Sequence, residues 1–259
     1  MLPVEEVFIV APDAILGRQA ELTTIARFFD HDPSGPRGLL LEGEAGIGKT
    51  TIWLEAVRLA GASGRVFSSR ASETEAKLSF TVLTDLLEPA LNDVADELPA
   101  PQRRALEAAL LLEDPGAIGQ LDARAVSLGA LGVIRAFAAR DPVTLAIDDV
   151  QWADAPSARA LSFALRRLVD EPVTVVAARR TGPGLRDPLD LLRSVSDLHR
   201  LALGPIETDA LGRLLRQLGR MFTRPLVLRI HEASGGNPFF ALEVGRALIR
   251  EGVRVKPGE

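Results

Sequence analysis

The chain has 259 residues, of which 47% are hydrophobic and 25% are charged, and this composition is typical of one large or two modest folded domains. Its 30 basic and 35 acidic residues give a net charge of −5, which argues against a protein dedicated to nucleic acid or to an anionic membrane. The sequence contains no cysteine, which excludes disulfides, thiolate catalysis and cysteine-ligated metal sites.

The N-terminal segment MLPVEEVFIVAP carries Glu5 and Glu6 where a secretory signal would carry positive charge. Apolar stretches such as LGALGVIRAFAA are interrupted by Arg135, well short of the ~20 residues that a membrane span needs. Together with the absence of cysteine, these features predict a cytoplasmic protein that does not enter the membrane.

The first predicted elements are a short strand-like piece at the N-terminus and an amphipathic helix in AILGRQAELTTIARFF. The apolar run RGLLLEG predicts a buried strand, which is followed by a glycine-rich loop and by a helix through TIWLEAVRLAGA. RVFSS predicts a short second strand. From about Phe80 to Arg140 the pattern is helical, with breaks at LPAPQ and LEDPGAIG.

Three further strands are predicted at VTLAIDD, VTVVAARR and HRLALGPI, with a helix at PSARALSFALRRLVD. Apolar strands that alternate with helices indicate a parallel sheet covered on both faces. From Glu207 onward only helices are predicted, at ETDALGRLLRQLG, TRPLVLRIHEASG and PFFALEVGRALIREG. We therefore predict an α/β domain over residues 1–204 and an all-helical lid over residues 205–259.

The glycine-rich loop satisfies the pattern GxxxxGK[ST], between a strand and a helix as that pattern requires. Such a loop turns backbone N–H groups toward a phosphate, while the lysine reaches the terminal phosphates and the hydroxyl ligates Mg²⁺. Only three of the 30 basic residues are lysines, so a lysine would rarely fall at this position of the pattern by chance. The pattern predicts a P-loop NTPase that binds ATP or ADP with Mg²⁺ through Gly43, Glu44, Ala45, Gly46, Ile47, Gly48, Lys49 and Thr50. Thr51 is added to this set, although its position favours starting the helix.

The partner acid of a P-loop is expected at the end of a buried strand beside the P-loop strand. VTLAIDD supplies two acids there. We predict that Asp148 orients Mg²⁺ together with Thr50, and that Asp149 polarises the attacking water. A helix-capping or loop pair is the alternative for both acids.

The segment IDDVQWADAPS resembles the Walker B region of the signal-transduction ATPases with numerous domains (STAND), especially the ATPase module of large LuxR-type and MalT-like transcriptional regulators. LGRQAEL, GEAGIGKT, VTVVAARR, LALGPIETDA and SGGNPFFALEV occur in the order found in that family. The resemblance implies a nucleotide-binding sheet with a helical lid, and a switch in which exchange of ADP for ATP leads to homo-oligomerisation.

The resemblance also implies roles for single residues. Gly17 and Arg18 match the motif that lines the base, although a turn with a surface arginine is an alternative. Arg179 matches a catalytic sensor arginine near the γ-phosphate, with a solvated strand end as the alternative. Pro238 matches a lid proline on the adenine, and a plain helix start capped by Asn237 explains the same letters.

For two arginines and two phenylalanines, a structural role is expected instead of contact with the chain's own nucleotide. Arg166 or Arg167 would act on a neighbour's nucleotide in an oligomer, but an exposed helix face is favoured. We expect Phe239 and Phe240 to lie in the core of the lid.

Other functions remain open at this point. A metabolic P-loop kinase would need a charged acceptor-binding cluster, which residues 79–140 do not show. A nucleotide-dependent scaffold without turnover is a stronger alternative. Direct DNA binding is disfavoured by the net charge, and in the resembling regulators DNA is bound by a C-terminal domain that has no counterpart before Glu259.

Overall fold

A computed structural model describes residues 15–31, 35–111, 122–182, 189–195 and 197–251. The predicted N-terminal strand-like piece, the break at LEDPGAIG and the polar tail VKPGE lie outside these residues. Among the residues described, no helix is long and apolar enough to cross a membrane.

The elements follow the order expected for a nucleotide-binding α/β fold. The strands are β1 (Arg37–Gly43), β2 (Arg65–Arg70), β3 (Val143–Asp148), β4 (Val173–Arg180) and β5 (Asp197–Ala202). The helices are α1 (Gln19–Phe29), α2 (Lys49–Ser63), α3 (Thr81–Leu91), α4 (Ala100–Ala109), α5 (Ala123–Ala138), α6 (Ala155–Leu165), α7 (Leu189–Leu192), α8 (Thr208–Arg216), α9 (Arg224–Ser234) and α10 (Pro238–Arg250). Single 3₁₀ turns occur at Ala95–Glu97 and Val150–Trp152.

The sheet is entirely parallel among the described strands, with the order β2–β3–β4–β1–β5. The apolar side chains of β1 pack into two hydrophobic cores, one on each face of the sheet, because successive side chains point to opposite faces. Leu39 and Leu41 pack with Ile52 and Trp53 of α2 on one face, whereas Leu40 packs with the α3, α5 and α6 side chains on the other. The predicted fold class, a parallel sheet flanked by helices, is confirmed.

The prediction of which strand lies beside the P-loop strand was wrong. We expected the strand that ends in Asp148 to lie beside β1, but β4 lies between β3 and β1. Strand order depends on which crossover each helix makes, and the apolar runs of these strands are too alike for the sequence to reveal it. Asp148 nevertheless reaches the P-loop, because α2 crosses over β4 and contacts β3 as well.

Helices α8 to α10 enclose a separate apolar core, formed by Ile206, Ala210, Leu211, Leu215, Val227, Ile230 and Ala241. This core begins directly after the connection from β5, near the boundary predicted at Gly204 and Pro205. The helices after β5 are consistent with the predicted lid, and the division at residue 204 stays a prediction.

Candidate nucleotide site

The predicted P-loop connects the end of β1 to the first residue of α2. Gly46 and Gly48 have φ angles of +78° and +101°, a left-handed conformation that glycine adopts without strain. Gly48 directly precedes α2, so the loop delivers its backbone to the N-terminus of a 15-residue helix, where the helix dipole favours an anion.

Lys49 is buried and its ammonium spans the base of the loop. Nζ donates hydrogen bonds to the Gly43 carbonyl at 3.0 Å and to the Glu44 carbonyl at 2.7 Å. Burial lowers the pKa of Lys49, while the nearby Asp149 carboxylate opposes that shift and Arg180 adds to it. The loop's own carbonyl groups therefore hold this cation in place, next to the two acids.

Thr50 and Asp148 are brought together from different elements. The Thr50 hydroxyl donates a hydrogen bond of 2.8 Å to Oδ2 of Asp148, and the Asp149 N–H donates one of 2.9 Å to Oδ1. Burial raises the pKa of Asp148, and the bond from Thr50 opposes that rise. A hydroxyl and a carboxylate at the mouth of a P-loop are the oxygen donors that Mg²⁺ uses beside phosphates.

The donor set therefore fits Mg²⁺, which Thr50 and Asp148 would hold in the presence of a nucleotide. Within the described ranges, no group of three or more His, Asp or Glu side chains forms a metal cluster. A cation here would thus depend on phosphate oxygens for much of its coordination, as Mg²⁺ in phosphoryl-transfer sites usually does.

Asp149 is held by two partners that anchor both of its oxygens. Arg180 donates from Nε to Oδ1 at 3.1 Å and from Nη2 to Oδ2 at 2.8 Å, and Gln151 donates from Nε2 to Oδ1 at 2.9 Å. Burial alone would raise the pKa of Asp149, but the hydrogen bonds from Arg180 and Gln151 outweigh it and the net shift is downward. The carboxylate is therefore stabilised in its ionised form.

Gln151 is a site residue that the sequence reasoning missed. Its side chain is buried, and its Oε1 accepts a hydrogen bond of 3.1 Å from the Arg180 backbone N–H while its amide group donates to Asp149. One amide thus joins the loop after β3 to the end of β4. Its only signal in the sequence is its place two residues after the second acid.

The two arginines at the end of β4 point to opposite sides of the sheet. Val176 and Ala178 pack on the α2 side, and alternation places Arg180 on that side as well. Arg179 lies on the opposite side, where it forms an ion pair with Glu42 and is 15% exposed. The structure therefore brings Arg180, and not the predicted sensor Arg179, to the acids.

Arg18 is buried and contacts protein groups on three sides. Nη2 donates to the carbonyl oxygens of Ile47 and Gly204, both at 2.7 Å, and Nη1 donates to Glu21 at 2.8 Å. The alternative of a surface arginine is therefore wrong. Arg18 ties the P-loop to the segment that leads into the lid, so any effect on the nucleotide acts through the backbone that it holds.

Gly17 is required by a close approach of the lid. A Cβ atom at this position would lie 2.5 Å from Cβ of Ala210 in α8, and the φ angle is +72°. The role of Gly17 at the base of the nucleotide stays a prediction.

The start of α10 lies against the P-loop. Asn237 caps the helix by accepting a hydrogen bond of 3.1 Å from the Phe239 N–H, and Pro238 is the first helical residue, so the predicted capping arrangement is present. The contact of Pro238 with an adenine stays a prediction. Phe239 and Phe240 are each 51% exposed, so their expected place in the lid core was wrong: they flank the P-loop side of α10 instead.

A cavity of about 480 Å³ opens between the carboxyl ends of the sheet and α10. It is lined among others by Glu42, Gly43, Thr181, Gly204, Asn237 and Phe240. Ligands of open α/β sheets bind at this edge, and the cavity also borders the P-loop at Gly43, Glu44 and Ile47. A ligand bound at the P-loop could therefore extend into this cavity.

Arg166 and Arg167 directly follow the last residue of α6 and are exposed on the surface of the protein. Arg166 contacts Ser194 at 3.4 Å, and Arg167 stacks on Phe163 with its guanidinium carbon 3.4 Å from the ring centre. These local contacts agree with an exposed helix face, and the action of either arginine on a neighbour stays a hypothesis.

Comparison with known families matches residues 14–176 to the AAA ATPase domain. This match covers more than half of the chain, and the protein belongs to the AAA ATPase domain family. A curated relative, an uncharacterized protein of Rhizobium meliloti (strain 1021), is 25% identical over 268 aligned positions that cover 89% of this chain and 24% of the relative. The chain thus spans about a quarter of that relative's length.

Several solved structures of low sequence identity align with most of this chain. The Aeropyrum pernix ORC1 protein, solved in complex with DNA, aligns with a TM-score of 0.53 and 16% identity over 95% of this chain and 65% of its own. A Thermotoga maritima RuvB variant aligns with a TM-score of 0.50 and 13% identity over 92% and 63%. A STAND protein with a tetratricopeptide repeat sensor from Pyrococcus horikoshii aligns with a TM-score of 0.47 and 13% identity over 93% and 33%. This chain therefore spans less than two thirds of each of these proteins.

Proposed function

We propose that the chain binds ATP and ADP with Mg²⁺ at its P-loop and hydrolyses ATP slowly, as the nucleotide switch module of a STAND-type ATPase. The finer proposal is that it serves a LuxR-type transcriptional regulator in the cytoplasm, with residues 1–204 binding the nucleotide and residues 205–259 forming the lid. The finer part rests on the order of motifs from LGRQAEL to SGGNPFFALEV.

The observation that carries the proposal is the hydrogen bond of 2.8 Å between Thr50 and Asp148 beside Lys49. It joins the start of α2 to the end of β3 at the mouth of a glycine-rich loop, which is the arrangement that Mg²⁺ and phosphates require. A chance glycine turn would not bring a buried carboxylate to that hydroxyl.

Slow hydrolysis follows from the charges at the site. Phosphoryl transfer needs positive charge at the γ-phosphate, and a missing trans-acting arginine costs about 10³–10⁵ in rate. Lys49, Arg70 and Arg180 are cations beside the acids. Arg180 is engaged with Asp149, and the Arg70 guanidinium lies over the Trp53 ring. Homo-oligomerisation in the ATP state would supply a further arginine.

A nucleotide-binding scaffold without turnover is the second candidate. It is favoured by one observation, the two-pronged hydrogen bonding of Asp149 to Arg180, because an ion-paired carboxylate with a lowered pKa accepts a proton poorly. The two candidates share the binding site and differ only in hydrolysis.

The test is incubation of the purified chain with labelled ATP, with and without Mg²⁺. We expect Mg²⁺-dependent binding and turnover below about one per minute, and no DNA-probe shift that weakens steeply with salt. Binding with no product over many hours favours the scaffold. Turnover at the per-second rates of metabolic kinases contradicts the switch proposal, and a salt-sensitive DNA shift favours a DNA binder.

A further inference from the structure

The lid contacts the P-loop through hydrogen bonds to its backbone carbonyls. Asn237, which is 3% exposed, donates from Nδ2 to the Ala45 carbonyl at 2.9 Å. The Phe239 N–H also approaches the Gly46 carbonyl, at 3.3 Å. Two consecutive carbonyls of the phosphate-binding loop thus face groups from the first turn of α10.

The close approach of α10 gives a second reason for glycine at position 46, in addition to its backbone conformation. A Cβ atom at Gly46 would lie 2.7 Å from Cβ of Phe239 and 3.0 Å from Oδ1 of Asn237. No L side chain fits this gap without displacing α10. The sequence of the loop is therefore matched to a docked lid as well as to a phosphate.

Holding a carbonyl also fixes the N–H group of the same peptide unit. The peptide bond is planar and trans, so its C=O and N–H point in opposite directions. Asn237 on the Ala45 carbonyl therefore sets the direction of the Gly46 N–H, and Arg18 on the Ile47 carbonyl, at 2.7 Å, sets that of the Gly48 N–H. The N–H groups of such a loop are the ones that bind phosphate.

We propose that Asn237 is a positioning residue of the phosphate site, which couples lid docking to nucleotide affinity through the Ala45 carbonyl. The proposal rests on the proposed function, since it assumes that the loop binds a nucleotide. Coupling of this kind is reciprocal: if the docked lid strengthens binding, then nucleotide strengthens lid docking by the same factor.

Asn237 performs two tasks that substitutions can separate. Its Oδ1 caps α10, and its Nδ2 holds the P-loop. Serine at this position caps a helix nearly as well as asparagine but is too short to reach Ala45. Aspartate keeps the cap and replaces the Nδ2 donor by an oxygen that faces the Ala45 carbonyl.

The experiment compares wild type, Asn237→Ser and Asn237→Asp, with Asp122→Ser as a control at the exposed cap of α5, whose side chain accepts from Arg124 and Ala125. ADP affinity is measured by calorimetry, and hydrogen exchange of α10 is followed with and without ADP. We expect Asn237→Ser to bind ADP roughly five- to tenfold more weakly and to lose the ADP-induced protection of α10, whereas Asp122→Ser retains both.

The aspartate variant is used for hydrogen exchange without nucleotide, because its charge would itself repel phosphates. A role in capping alone predicts wild-type protection of α10 in this variant, since aspartate and asparagine are equal caps. The positioning role predicts faster exchange than in Asn237→Ser, because an uncompensated oxygen faces the Ala45 carbonyl.

The proposal is overturned if Asn237→Ser binds ADP as tightly as wild type or more tightly, or if α10 in Asn237→Asp is protected as in wild type. Failure of the proposed function looks different, because wild type itself would then bind no nucleotide while its α10 remained protected.

Discussion

Asp154 stabilises the start of two helices, and its replacement by asparagine should destabilise the whole fold. The carboxylate is fully buried and accepts from the Phe80 N–H at 2.8 Å, the Thr81 hydroxyl at 2.9 Å, the Val82 N–H at 3.1 Å and the Ser157 N–H at 2.9 Å. It is the N-cap of α6 and also holds the first turn of α3.

The magnitude follows from the donors that asparagine cannot serve. The amide oxygen can keep the Phe80 and Ser157 bonds, and the Thr81 hydroxyl can rotate to accept from the new amide. The Val82 N–H is then left buried against another donor, which costs about 1–3 kcal/mol. Loss of the negative charge at two helix N-termini adds about 0.3–1 kcal/mol for each helix. We therefore expect the free energy of unfolding to fall by about 3 kcal/mol.

The assay is urea unfolding of Asp154→Asn followed by circular dichroism, with Asp122→Asn as the matched control. Asp122 also caps a helix, α5, but on the surface. Asparagine caps as well as aspartate, so this variant should lose only the helix-dipole contribution of about 0.3–1 kcal/mol, and its unfolding midpoint should fall much less. Equal midpoints for the two variants would refute the account of Asp154.

The same pair of proteins tests the pH dependence. Burial raises the pKa of Asp154, but the hydrogen bonds from Ser157, Val82 and Phe80 outweigh it and lower the pKa overall. A carboxyl with a lowered pKa contributes stability above its unfolded pKa, about 3.9, and loses it as the pH falls through the folded value. The stability difference between wild type and Asp154→Asn should therefore shrink below about pH 4, and a constant difference would contradict this linkage.

Three further predictions concern the acids at the nucleotide site. Asp148→Asn should weaken Mg²⁺-dependent ATP binding, whereas Asp149→Asn should slow turnover much more than it weakens binding; equal losses of affinity would make this division of labour wrong. Arg180→Gln should shift the acidic limb of the turnover–pH profile to higher pH, because burial raises the pKa of Asp149 once its strongest hydrogen-bond donor is lost. An acidic limb that does not move would show that ionisation of Asp149 does not control turnover. Gln151→Ala should shift the limb in the same direction by less, and a shift larger than that of Arg180→Gln would contradict the relative strength of the two donors.

The phosphate loop and its partner acid could be predicted because their chemistry is local in sequence. A strand, a GxxxxGK[ST] loop and a helix are contiguous, and the structure brings Thr50 to Asp148 as expected. The adjacency of their strands could not be predicted, since β4 enters the sheet between β1 and β3 only through the three-dimensional path of the helical connections.

Side-chain direction explains the other differences. Arg179 and Arg180 are adjacent in sequence, and a shift of one residue moves a strand side chain to the other face of a sheet, so the family motif alone did not identify which arginine meets Asp149. Asn237 was recognised as a cap, but its bond to Ala45 joins residues 192 positions apart. Such a contact depends on how the lid docks, which local patterns do not encode.

The most direct test of the nucleotide site is calorimetric titration of Lys49→Ala with ADP and with ATP. Lys49 is the only cation on the loop itself, and removing two charge-assisted contacts of about 1.5–3 kcal/mol each predicts a loss of affinity of ~10²-fold or more. Lys77→Ala is the control, because Lys77 is an exposed lysine outside the site. The account predicts that Lys77→Ala binds as wild type does and that Lys49→Ala binds at least ~10²-fold more weakly, with circular dichroism unchanged in both. Unchanged affinity in Lys49→Ala would contradict the assignment of the nucleotide to this loop.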